Sequence, residues 1–132
     1  METGPRAPRK HNVLLVDDNL QLAETLRQLL EAHGFDATVV SNGVLALKHI
    51  LHKPVDVVVC DLRMPQLEGD MFYSTVERVN PELAKRFVFI TGMAEDPHFE
   101  KFVMTVKAPV LRKPVPIETL LAAVKGLLPK QD

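Results

Sequence analysis

The chain lacks tryptophan, and it has one tyrosine and one cysteine. A lone cysteine excludes an intrachain disulfide framework and any zinc site built on several cysteine ligands. An excess of charge is also missing. Sixteen Lys and Arg stand against 17 Asp and Glu, for a formal net charge of −1. No global basic field therefore draws the chain onto nucleic acid or an anionic bilayer. No apolar run approaches the roughly 20 residues of a membrane span. The opening METGPRAPRK is polar and basic with no apolar stretch behind it, unlike a secretory signal. These absences point to a cytoplasmic domain with no nucleic-acid role of its own and no membrane insertion.

What is present suits one small globule. The 132 residues are 46% hydrophobic and 25% charged. A chain of this length buries about two-thirds of its unfolded surface and needs no covalent staples. Read by length alone, the expectation is one domain without a separate output module. Residues 1–11 hold Pro5, Pro8, Arg6, Arg9 and Lys10 and read as a flexible tail. Residues 129–132 read as a frayed end, which leaves 12–128 as the folded body.

The body alternates two patterns. Apolar, β-branched runs occur at 13–16, 38–40, 55–59, 87–90 and 110–111. Several are apolar at consecutive positions, as strands covered on both faces must be. Between them lie helical stripes: Leu22/Leu26/Leu29, Val44/Leu47/Leu51, Phe72/Val76/Val79, Phe99/Phe102/Val103/Val106 and Ile117/Leu120/Leu121/Val124. Start and stop signals fit these stripes. His33-Gly34 closes the first, Ser41-Asn42-Gly43 opens the second, and Asn80-Pro81 ends the third. Asp96-Pro97 opens the fourth and Pro116 the fifth. Five strands alternating with five helices predict an α/β fold with a parallel sheet covered on both faces.

Ligands of such sheets bind beyond the carboxyl ends of the strands. Asp17 and Asp18 follow the first strand, Asp61 the third, Thr91 the fourth and Lys113 the fifth. Three carboxylates gathered at one edge raise one another's pKa unless a cation joins them. Oxygen ligands with open positions favour Mg²⁺ over Ca²⁺. Asp17-Asp18 alone also reads as a helix-capping pair, but Asp61 on the adjacent central strand tips the balance to a metal. A carboxylate beside a metal and a lysine is a nucleophile toward phosphorus. Thr91 then donates to a phosphoryl oxygen. Lys113-Pro114 is a place where a cis bond would aim the lysine.

Four motifs stand in order at these ends: Leu15-Val16-Asp17-Asp18-Asn19, Cys60 to Gly69 (CDLRMPQLEG), Phe89-Ile90-Thr91-Gly92 and Leu111-Arg112-Lys113-Pro114. Together they resemble the receiver domain of bacterial two-component response regulators. The resemblance covers about residues 11–128. It implies a flavodoxin-like, doubly wound (βα)5 fold with strand order 2-1-3-4-5. It implies that Asp61 accepts a phosphoryl group from a phosphohistidine on a histidine kinase or histidine phosphotransfer protein. It implies Mg²⁺ held directly by Asp18, Asp61 and the backbone carbonyl of Arg63, with Asp17 acting through water. Thr91 and Lys113 would hold the phosphoryl group and relay its presence to a downstream protein. Similar receivers occur both alone and attached to hybrid sensor kinases.

One position departs from the pattern. Val110, preceded by Pro109, stands where such receivers commonly carry an inward-turning aromatic. The expectation is that signalling runs through the loop 92–97 and the helix after it, where Gly92 permits rearrangement. Cys60 reads as buried filler. His49 and His52 lack a third ligand and read as solvated helix residues. Competing functions fit less well. An aspartyl-phosphate phosphatase wants an acid two residues after its nucleophile, where Arg63 stands. A flavin mononucleotide binder wants a phosphate loop where Asp17-Asp18 would repel one. A receiver fold that binds partners without phosphorylation is the remaining alternative.

Overall fold

The computed structural model describes residues 10–92 and 96–129. Most of the two expected tails, and residues 93–95 of the expected signalling loop, lie outside them. Five parallel strands are hydrogen-bonded in the order β2-β1-β3-β4-β5. They are β1 (Asn12–Val16), β2 (Asp36–Val40), β3 (Val57–Asp61), β4 (Phe87–Thr91) and β5 (Val110–Arg112). Six helices connect and follow them: α1 (Leu20–Ala32), α2 (Gly43–His52), α3 (Gly69–Val79), α4 (Pro81–Ala84), α5 (Pro97–Thr105) and α6 (Ile117–Leu127). Among the described residues no helix is long and apolar enough to cross a membrane.

The sheet divides the core by residue parity, because successive strand side chains point to opposite faces. Leu14, Val16, Val58, Cys60, Phe87 and Phe89 pack on one face with Ala46, Phe72, Val76 and Phe99 from the helices. Val13, Leu15, Val57, Val59, Val88 and Ile90 pack on the other with Leu26, Leu30, Leu120 and Val124. Strands β3 and β4 are buried at every residue, whereas the edge strand β2 is exposed at Asp36 and Thr38. That explains why β3 and β4 read as continuous apolar runs.

Four local expectations need correction. β3 begins at Val57 rather than 55 and includes Asp61; β4 likewise includes Thr91. Asp61 and Thr91 are thus the last residues of their strands, whereas Asp17, Asp18 and Lys113 follow theirs as expected. The Val44/Leu47/Leu51 stripe is not the buried face of α2. Val44 and Leu51 are exposed, and Gly43 and Ala46 are buried instead. The close approach of Gly43 to Leu67, which periodicity cannot show, sets which side of α2 is buried. The Phe72/Val76/Val79 stripe of α3 fails at its end, where Val79 is exposed. Asn80-Pro81 ends α3 as expected but also starts α4. The Asn80 side chain accepts from the Leu83 amide, and Pro81 takes the first position.

Candidate phosphoacceptor and metal site

Hydrogen bonding at the strand ends brings the acidic residues together. The Asp17 amide donates to the Val40 carbonyl of β2 (3.1 Å), which extends the β1 ladder by one residue. Asp17 Oδ1 accepts from the Asn19 amide at 2.9 Å, and Asn19 in turn caps α1 by accepting from the Leu22 amide. Asp17 and Asp61 are buried; Asp18 is exposed. One oxygen from each of the three lies within 4.8 Å of the others, a set that can hold a metal ion.

Lys113 enters from beyond β5. Its amide donates to the Thr91 carbonyl at 3.0 Å, continuing the β4–β5 ladder. The Lys113-Pro114 peptide bond is cis. Lys113 Nζ donates to Asp61 Oδ2 at 2.9 Å and lies 3.2 Å from Asp17 Oδ2. Thr91 is fully buried beside them at the end of β4.

The electrostatics match this crowding. Burial pushes the Asp61 carboxyl above its ordinary range; the hydrogen bond from Lys113 opposes this and the Asp17 charge reinforces it. Burial pulls Lys113 down, but its contacts with Asp61 and Asp17 outweigh that and leave it above its usual value. The Cys60 thiol is raised well above its ordinary value by burial and by the nearby carboxylates, so it is no thiolate nucleophile. One ammonium faces three carboxylates. Asp17 Oδ2 is buried and accepts no hydrogen bond, with only the Lys113 charge 3.2 Å away. A buried, unsatisfied carboxylate oxygen is costly, and a divalent cation would satisfy it. The donor set therefore fits a hard, oxygen-seeking ion.

The turn after β3 is built tightly. Asp61 Oδ1 receives the Arg63 amide at 3.4 Å, and Gln66 adopts a left-handed conformation (φ 71°). The Gly69 amide then returns to the Leu62 carbonyl at 2.8 Å. A Cβ on Gly69 would meet the Asp61 carbonyl oxygen at 2.5 Å, so only glycine starts α3 this close to β3.

The structure also reveals a cluster that the sequence did not. The Arg63 side chain pairs with Asp96 at 2.5 Å and lies 5.5 Å above the Phe99 ring. Glu68 pairs with His98 at 2.9 Å. The β3–α3 turn is thereby clasped to the start of α5. These partners are 33 and 30 residues apart, beyond the reach of any local pattern. The only local sign was Asp96 as a cap, and it does accept from the His98 amide at 2.9 Å.

With this geometry in view, the comparisons with known proteins decide the family. The sequence model of the response regulator receiver domain matches residues 13–125. The chain belongs to that family. Sensor kinase CckA of Brucella abortus is 31% identical to this receiver over 122 residues, covering 91% of this chain and 13% of that protein. The transcriptional regulatory protein CpxR homolog of Haemophilus influenzae is 31% identical over 116 residues, covering 88% of this chain and 49% of that protein. The solved signal receiver domain of a signal transduction histidine kinase from Syntrophus aciditrophicus superposes with a TM-score of 0.80 at 25% identity, covering 89% of each chain. The receiver thus corresponds to a minor part of these curated relatives. Its flavodoxin-like fold, with strand order 2-1-3-4-5, is as the motifs implied.

Proposed function

We propose that residues 12–128 form a phosphoacceptor unit of a two-component relay, with Asp61 as the residue phosphorylated. The observation that carries this reading is Asp61, its Oδ2 held at 2.9 Å by Lys113 and one of its oxygens within 4.8 Å of an oxygen of Asp17 and of Asp18. In the reaction an Asp61 oxygen attacks the phosphorus of a phosphohistidine on a histidine kinase or histidine phosphotransfer protein. The P–O bond forms as the P–N bond to the imidazole breaks. Asp18, Asp61 and the Arg63 carbonyl would hold Mg²⁺ directly and Asp17 through water; the ion supplies charge neutralisation on the transferring oxygens. Lys113 exchanges part of its contact with Asp61 for a phosphoryl oxygen. The Thr91 hydroxyl donates to another. The domain works in the cytoplasm as a switch for a downstream protein, not as an enzyme acting on free substrates.

Intact-mass measurement after incubation with acetyl phosphate and Mg²⁺ tests this. The wild-type chain gains one phosphoryl group. The gain is absent in Asp61→Asn and absent with EDTA. An unmodified wild-type chain under every condition overturns the reading and favours a receiver that binds partners without phosphorylation.

A further inference from the structure

Away from the acidic site, the edge of the sheet carries an open groove of about 500 Å³ between the start of α1, strand β2 and helix α2. Val39 and Val40 line it, both half-buried. Leu20 and Leu45 stand at its sides, 54% and 44% exposed. Two large aliphatic side chains left in water beside a shared groove are an unpartnered apolar surface. The charged lining is of one sign. Lys48 and Lys53 border the groove with His49 and His52, and no Asp or Glu lines it. Neither lysine has an ion-pair partner among the described residues.

We propose that this groove docks an acidic amphipathic helix of another protein, with aliphatic side chains at helical spacing over Val39, Val40 and Leu45 and carboxylates against Lys48 and Lys53. Charge selects this occupant over the alternatives. The chain's own first residues carry Arg6 and Arg9 and would meet like charge. A second copy docked about a two-fold axis through the groove would set its lysines against each other. A small ligand needs a site that encloses most of its surface, and this groove is open to solvent. A helix laid in a groove needs only one face covered, with anchors at i, i+3 or i+4, and i+7. Position gives the contact a purpose. The Val40 carbonyl accepts the Asp17 amide, so a helix seated here stands one hydrogen bond from the acidic cluster. The docking itself does not depend on phosphorylation at Asp61.

The test uses the full chain and a fluorescein-labelled synthetic helix with Leu at i, i+4 and i+7 and Glu at the flanking positions. A second helix with Lys in place of Glu is the control. Anisotropy titration should give saturable binding of the Glu probe, weakened as salt screens the charges. Binding should be weakened about tenfold by Lys48→Glu with Lys53→Glu, and lost in Leu45→Asp. These residues are exposed, and an unchanged urea midpoint confirms that the variants fold. Amide shift mapping should place the probe on residues 20, 39–41 and 45–53. Equal binding of the Lys probe, no saturable binding, or shifts centred on α5 overturns the proposal. Concentration-dependent self-association that Leu45→Asp abolishes also overturns it, by assigning the groove to a second copy.

Discussion

Arg63 stands two residues beyond Asp61, yet its side chain is committed to Asp96, across the mouth of the site. Solvent screens pairs of this kind, so the clasp sets position more than stability. His49 makes a sharper prediction about a single group. Burial, then the nearby Lys53 charge, lowers its pKa in the folded chain. The unfolded chain therefore binds the proton more readily, and stability rises with pH through this group. Its contribution is complete above the unfolded value of about 6.5 and is lost as pH falls below it. Urea midpoints at pH 5 and pH 8 should differ less in His49→Gln than in the wild type; an equal or larger difference refutes the assignment. At this scale the acidic site was legible because strand ends announce it: an apolar run stops and a carboxylate, hydroxyl or lysine follows. The Arg63–Asp96 and Glu68–His98 pairs were illegible because only the folded topology makes them neighbours.

The helices differ in how much of their placement sequence could dictate. Caps were readable: Asn42 accepts from the Leu45 amide at the start of α2, and Asp96 caps α5. Buried faces were readable in α6, whose Leu120, Leu121 and Val124 are all buried. In α2 tertiary contact decided the face. A Cβ on Gly43 would meet the Leu67 carbonyl oxygen at 2.7 Å, so the first turn presses against the β3–α3 turn. Two glycine substitutions should therefore move in opposite directions. Gly69→Ala sets a Cβ against backbone that cannot yield. Overpacking of about 1–3 kcal/mol exceeds the about 1 kcal/mol that alanine gains over glycine in a helix. It should lower the urea midpoint and slow Asp61 phosphorylation. Gly126→Ala in α6 meets nothing within 4 Å and should raise the midpoint, through a stability gain of up to about 1 kcal/mol. A destabilised Gly126→Ala would show that α6 is not packed as described.

For the molecule as a whole, the parallel five-stranded fold was legible because strand and helix patterns alternate without interruption. Its strand order followed from the family resemblance, since no local pattern specifies which strands pair. Mg²⁺ binding at the proposed site would act on the entire fold, because a ligand bound only by the native state stabilises all of it. At a hundredfold excess over its dissociation constant this is about 2.7 kcal/mol. Mg²⁺ should raise the thermal midpoint of the wild type and leave Asp18→Asn nearly unmoved; an equal rise in both would place the ion elsewhere. The β5 edge has a further consequence. The strand is three residues long and inward-bonded through the Pro109 carbonyl and the Lys113 amide. Pro114 has no amide hydrogen to continue the outward row, and the exposed Lys107 adds charge just before the strand. Another chain's strand can find a template at β2 but not at β5. Two copies of this chain paired β2 to β2 would therefore leave only blunted β5 edges outside, and the pairing would close at a dimer.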